Sequence, residues 1–218
     1  PLMEIVTHPD LRSPEEAHEY LINLHSIIKF IGVSTANMEE GSFRCDANIS
    51  TRYSGENDYG AKVEIKNVNS FKSVFQALKF EEKRQRKAIL NGERIIQETR
   101  GWSDTRGTTV SQRSKETASD YRYFPEPDIP PVHIGAEWTE TIRAKTSELP
   151  KVKSKQYVDA YSISDYDAQL ITTSRDISKL FEATVDKIIN SDVSLEWGAK
   201  TAANLINVEL PRLLREKN

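Results

Sequence analysis

From Phe43 onward every second residue is apolar: Phe43, Cys45, Ala47 and Ile49 alternate with Arg44, Asp46, Asn48, Ser50 and Arg52. After the turn-forming Ser54-Gly-Glu-Asn57 the period returns, with Ala61, Val63 and Ile65 set against Lys62, Glu64 and Lys66. Period two places alternate side chains on opposite faces of a strand, so these runs predict a hairpin over 43–53 and 59–67. One face is apolar and needs a core. The other carries charges of both signs.

Helical periods flank this hairpin. Ser13, Pro14 and Glu16 form a helix start, followed by Ala17, Tyr20, Leu21, Leu24, Ile27, Ile28 and Ile31 at spacings of three and four, with Gly32 as the stop. A second helix is expected from Asn69 or Ser70 to Asn91-Gly92, with Phe71, Val74, Phe75 and Leu78 inward and the stripe broken at Glu82 and Gln85. Its run Lys79 to Lys87 reads as a solvated face held by neighbouring charges, or as a contact for RNA phosphates or a partner protein. Segments 94–102 and 108–113 predict a second hairpin, and residues 1–6 read as the end of a buried strand. The prolines of Tyr121-Arg-Tyr-Phe-Pro-Glu-Pro-Asp-Ile-Pro-Pro131 exclude helix there. Beyond Gly135 the strand period disappears. Ile177, Leu180, Phe181, Val185 and Ile188 mark one helix, and Leu195 to Leu213 marks another that Pro211 should kink or end. The pattern is α+β, with a mixed part up to about residue 145 and a helical part over 146–218.

Several classes are excluded. The longest apolar stretch, Tyr20 to Ile28, contains Asn23 and His25 and falls short of the roughly 18 residues of a membrane span. One cysteine, Cys45, permits neither an intrachain disulfide nor a cysteine zinc cluster, and fits a reducing cytosol. Thirty basic against 33 acidic residues, a net charge of −3, argue against gripping nucleic acid by bulk charge, leaving only a local patch. The four histidines lack metal-ligand spacing, and neither a phosphate-binding glycine loop nor a nucleophile elbow is present.

The polar hairpin face remains. Arg44, Asp46 and Asn48 on one strand and Lys62, Glu64 and Lys66 on the other combine hard oxygen ligands, cations and an amide, the mixture that phosphate chemistry requires. A solvated sheet face with cross-strand ion pairs has the same pattern.

The strings Glu4-Ile-Val, Pro9-Asp-Leu-Arg-Ser-Pro14, Met38-Glu-Glu-Gly-Ser-Phe-Arg-Cys-Asp-Ala-Asn-Ile49, Glu64-Ile-Lys-Asn-Val-Asn-Ser-Phe71, Glu81-Glu-Lys-Arg-Gln85, Gln97-Glu-Thr-Arg100 and Asp120-Tyr-Arg-Tyr-Phe-Pro-Glu-Pro-Asp128 resemble, in order and spacing, the B subunits of the aspartyl/glutamyl-tRNA amidotransferases, GatB. The likeness covers essentially the whole chain and is densest over residues 1–134. It implies a cradle-like α+β domain with antiparallel hairpins, followed by a helical domain. The implied activity is a carbon–nitrogen ligase, cytoplasmic or in an organellar matrix. With ATP and Mg²⁺ it activates the side-chain carboxylate of glutamate or aspartate misacylated on tRNA(Gln) or tRNA(Asn). Ammonia from the amidase (A) partner then displaces the phosphate, and a small third (C) partner completes a heterotrimer.

By the same resemblance Glu4 matches a metal-site glutamate, and Asp46 and Glu64 are further metal candidates. Asp46, Glu64 and Lys66 are the catalytic candidates, while Arg44, Asn48, Lys62, Asn67, Arg122 and Glu126 are candidates for binding ATP or substrate. Glu39 and Glu40 line an ammonia path or bind metal. The family's Gly-Leu-Glu-Val-His and His-Met-Glu-Glu-Asp elements and its C-terminal tRNA-binding domain do not occur in these 218 residues, so a fragment with an incomplete metal site is expected. A different class stays open: a non-catalytic module that binds tRNA or a partner protein through the charged hairpin and the second helix.

Overall fold

A computed structural model describes residues 2–112, 125, 127–146, 148–190 and 193–217. The chain divides into two compact units, residues 1–23 with 37–126 and residues 24–36 with 127–218.

In the first unit β1 (Ala47–Ile49) and β2 (Val63–Lys66) pair antiparallel, with Ala47 opposite Ile65, Asn48 opposite Glu64 and Ile49 opposite Val63. Helix α2 (Phe71–Leu90) carries the chain from β2 to β3 (Glu98–Ser103), which runs parallel to β2, and β4 (Thr108–Ser111) returns antiparallel to β3. The sheet order is β1-β2-β3-β4. Both expected hairpins are present. The parallel seam between them needs a crossover connection, which α2 supplies.

The hydrogen-bonded strands are shorter than the alternation that marks them. Phe43, Cys45, Ala47 and Ile49 still pack on the core while Arg44, Asp46 and Asn48 point outward. Gly60 lies so close to the Thr51 carbonyl that a Cβ on it would stand 2.2 Å from that oxygen. Residues 2–6 depart from expectation: Leu2, Met3, Ile5 and Val6 are exposed and the segment is not a strand. An apolar run makes a strand only where a neighbour completes the ladder, and none of the described strands pairs with it.

Helix α1 (Pro14–Ile31) is capped by Ser13, whose Oγ accepts from the Glu16 amide at 3.1 Å. The Glu16 carboxylate accepts from the Arg12 amide at 2.6 Å, one residue ahead of the cap. Ser70 caps α2 through the Ser73 amide, and Gly92, at φ +75°, ends it. The core joins Ile65, Ala47, Ile49 and Trp102 of the sheet to Val74, Ala77 and Leu78 of α2 and Leu21 of α1. Val63 and Ile65 are fully buried, and each such side chain contributes about 1.5–3 kcal/mol.

The inner row of α2 also carries Glu81 and Gln85, both fully buried, so the stripe is not broken at Gln85 as the apolar period alone suggests. Glu81 accepts hydrogen bonds from Arg84 Nε at 3.0 Å, Gln85 Nε2 at 3.1 Å and Thr109 Oγ1 at 2.9 Å, and Arg100 Nε lies 3.5 Å away. Thr51 donates to Gln85 at 3.0 Å, and Glu98 pairs with Arg100 at 2.7 Å. Burial raises the Glu81 pKa, but these donors outweigh it and hold the carboxyl below its ordinary value. The run Lys79 to Lys87 therefore has two faces, with Lys79, Lys83, Arg86 and Lys87 exposed.

The second unit contains α3 (Ala136–Lys145), α4 (Pro150–Tyr161), α5 (Asp165–Ile171), α6 (Arg175–Ile189), α7 (Leu195–Asn204), a π-helical turn (Leu205–Glu209) and α8 (Leu210–Lys217). Tyr157, Ile163, Ile171, Phe181, Val185 and Ile206 pack with the small Ala168, Ala199, Ala202 and Ala203 to form its core. The expected disturbance at Pro211 takes the form of the π turn: the Leu210 amide bonds to the Leu205 carbonyl, five residues back, and helix resumes. Helices α3, α4 and α5 are not visible in the apolar period. Among the described residues no helix is long and apolar enough to cross a membrane.

A candidate site on the polar face of the sheet

Because β1 packs Ala47 and Ile49 against the core and β2 buries Val63 and Ile65, strand geometry turns Asn48, Glu64 and Lys66 to the opposite side. The Lys66 ammonium lies 3.3 Å from Asp46 Oδ2 and 3.5 Å from Glu64 Oε1. Side-chain exposures of 53% for Asp46, 41% for Lys66 and 33% for Glu64 leave the group open to a ligand. Burial lowers the Lys66 pKa, but the charges and hydrogen bonds of Asp46 and Glu64 together raise it above the ordinary lysine value. The ammonium is held protonated between two carboxylates.

The parallel seam adds a row that the alternation of the first hairpin does not reveal. Thr99 stands beside Glu64, and its Oγ1 donates to Glu64 Oε2 at 2.8 Å. Gly101 stands beside Lys66, and a Cβ there would meet Gln112 Nε2 at 2.5 Å and Asn67 Nδ2 at 3.1 Å. The bare backbone at Gly101 thus makes room for two amides. Asn67 follows β2 in the left-handed region at φ +61°, which asparagine tolerates better than most residues. Thr99 lies in the string Gln97-Glu-Thr-Arg100, but only the β2–β3 register shows what it touches.

The remaining candidates are dispersed. Asn48 faces outward opposite Glu64. Arg44 is exposed, with its guanidinium 3.5 Å from where a Gly41 Cβ would lie. Lys62 is exposed at the residue before β2. Glu39 and Glu40 occupy the exposed turn before Gly41, where the Glu39 amide donates to Asn37 Oδ1 at 2.9 Å. Glu4 lies on the exposed segment 2–6. Arg122 and Glu126 fall outside the described residues.

Cys45, on the buried side beside Asp46, packs on the core, and burial together with the Asp46 charge pushes its thiol up to about 11. That argues against a nucleophilic thiolate. Asp46 and Glu64 offer the hard oxygens a divalent cation takes. Two carboxylates supply only part of an octahedral shell, and among the described residues no cluster of three or more His, Cys, Asp or Glu forms a metal site.

The profile of the GatB/GatE catalytic domain matches residues 1–140. The chain belongs to the GatB/GatE catalytic domain family. Among similar curated proteins, each named as the B subunit of an aspartyl/glutamyl-tRNA(Asn/Gln) amidotransferase, that of Dehalococcoides mccartyi strain ATCC BAA-2266 is 56% identical over 206 residues, covering 94% of this chain and 42% of the relative. The protein of Roseiflexus castenholzii is 49% identical, covering 99% of this chain and 44% of the relative. That of Staphylococcus carnosus is 45% identical, covering 96% and 45%. The chain thus spans less than half the length of these GatB relatives. The family match includes the whole polar face, from Asp46 to Gln112.

Proposed function

We propose that the protein of which this chain forms part is the GatB component of a tRNA-dependent amidotransferase, and that the Asp46–Lys66–Glu64 face handles the phosphate transfer. Residues 1–145 form the later part of its cradle domain and residues 146–218 begin its helical domain. The partners are the amidase (A) component, the small third (C) component and misacylated tRNA(Gln) or tRNA(Asn), and the complex works in the cytoplasm or an organellar matrix. The observation that carries this reading is an ammonium held between two carboxylates on the open side of a sheet, in a chain 45–56% identical to GatB proteins.

The chemistry follows from the substrates. A carboxylate is a poor acyl donor. One of its oxygens attacks the γ-phosphorus of ATP, ADP departs, and an acyl phosphate results. Ammonia then attacks the acyl carbon and expels inorganic phosphate, leaving the amide. Both reactants of the first step are anionic, so cationic donors that offset their charge lower the barrier. Lys66 serves this role, with Arg44, Lys62 and Arg122 as further phosphate or carboxylate contacts. Asn48, Asn67 and Glu126 orient the ligands. Asp46 and Glu64, with Glu4, are the candidate oxygens for Mg²⁺, which would neutralise phosphate charge, and Glu39 and Glu40 remain assigned to an ammonia path or to metal.

The test uses the full-length protein assembled with its amidase and small partners. Lys66→Met and Glu64→Gln should each lower amide formation on misacylated tRNA by about 100-fold or more while glutamine hydrolysis persists. Unchanged amide formation in both variants would remove the face from the site. A second reading, a binding module without catalysis, draws on the exposed cations Lys72, Lys79, Lys83, Arg86 and Lys87 of α2. It predicts salt-sensitive RNA binding that is indifferent to ATP and Mg²⁺.

A further inference from the structure

Glu64 engages a different partner with each of its two carboxylate oxygens. Oε1 faces the Lys66 ammonium at 3.5 Å, and Oε2 accepts from Thr99 Oγ1 at 2.8 Å. An ionised carboxylate only accepts, so the hydroxyl proton points at Glu64. A hydrogen bond to a charged acceptor is stronger than a neutral one. Thr99 reaches Glu64 from a strand 35 residues away, brought there by the parallel β2–β3 register. Its neighbours Glu98 and Arg100 turn to the other side and join the Glu81 network, so position 99 has no part in that buried cluster. Threonine is β-branched and stiff at χ1 on a strand, which fixes the direction of its hydroxyl.

We propose that Thr99 is a positioning residue for the site. Its hydroxyl pins Oε2 and thereby sets the carboxylate plane, so that Oε1 stays aimed at Lys66 and at the cation or phosphate arriving from the open side. This rests on the reading of the polar face given above. Thr99 touches neither phosphate nor acyl group and acts through Glu64. Outer-sphere partners of ligating carboxylates have this role, and their loss costs about 10–100-fold in metal affinity or activity.

The test again uses the full-length protein with its partners. Thr99→Val keeps the shape and removes the hydroxyl; Thr99→Ser keeps the hydroxyl. Thr99→Val should lower kcat for amide formation by about 10-fold or more with little change in KM for misacylated tRNA, and should weaken Mg²⁺ binding measured by calorimetry by about 10-fold. Thr99→Ser should restore both. Wild-type kinetics and Mg²⁺ affinity in Thr99→Val, beside an inactive Glu64→Gln, would overturn this inference alone. Equal loss in Thr99→Val and Thr99→Ser, in step with a lowered melting temperature, would also overturn it, because a packing role would then suffice. Full activity of Glu64→Gln would overturn the inference, and full activity of Lys66→Met as well would overturn the reading of the face.

Discussion

Lys66 and Asp46 form a 3.3 Å ion pair on the solvent side of a sheet whose other side is the core. The two side chains are 41% and 53% exposed, and exposed pairs of this kind typically contribute about 0–1 kcal/mol to stability. Lys66→Met and Asp46→Asn should therefore shift the melting temperature of the full-length protein little while lowering amide formation strongly. Parallel losses of stability and activity would mark the pair as structural.

Glu81 stands in the opposite situation, fully buried and ringed by Arg84, Gln85, Thr109 and Arg100. Glu81→Ala leaves the Arg84 and Arg100 guanidinium groups sharing the Glu98 carboxylate and should destabilise the fold by roughly 3 kcal/mol or more near neutral pH. Its folded pKa is lowered, so its ionic stabilisation is present above the unfolded carboxyl value and is lost as pH falls through the folded one. The stability gap between wild type and variant, followed by urea unfolding, should narrow below about pH 4.5.

Two glycines of the same unit should answer differently to alanine. At Gly60 the new Cβ meets the Thr51 backbone oxygen at 2.2 Å, which cannot step aside, and a loss of about 2 kcal/mol is expected. At Gly101 the nearest atoms are the ends of the Gln112 and Asn67 side chains, which can swing away. Gly101→Ala should fold with a change of less than about 1 kcal/mol but disturb the amides beside Lys66. Calorimetric melting of both variants checks the contrast.

Cys45 should resist alkylation. With its thiol pushed up to about 11, iodoacetamide should modify native protein slowly at about pH 8 and faster as the pH approaches that value. Rapid modification near neutral pH would contradict the packed position of this residue.

Much of this was legible because it is local. The alternation from Phe43 to Ile49, the Ser70 cap and the Gly92 stop each depend on a few neighbouring residues, and the hairpin register alone makes Asp46, Glu64 and Lys66 neighbours. Thr99 was not legible because its place beside Glu64 depends on a parallel pairing made across α2. Glu81 and Gln85 fall at buried helical positions, but besides Arg84 of the same helix their burial depends on Arg100, Thr109 and Thr51, which come from distant strands and loops. The segment at 2–6 has a strand pattern without a strand neighbour. Helices α3 to α5 gave weak apolar periods because α3 is exposed along its described length, and α4 and α5 bury small or polar residues such as Ser154 and Ala168.

If the polar face activates a carboxylate as an acyl phosphate, an oxygen atom must pass from that carboxylate to the released phosphate, and following it is the most direct test. Misacylated tRNA carrying ¹⁸O at both oxygens of the amino-acid side-chain carboxylate is incubated with ATP, glutamine and the full-length complex, and the released phosphate is analysed by mass spectrometry. The account predicts one ¹⁸O in the phosphate for each amide formed by wild type, and loss of both products in Lys66→Met and Glu64→Gln while glutamine hydrolysis continues. Phosphate free of ¹⁸O, or full transfer in both variants, would contradict it.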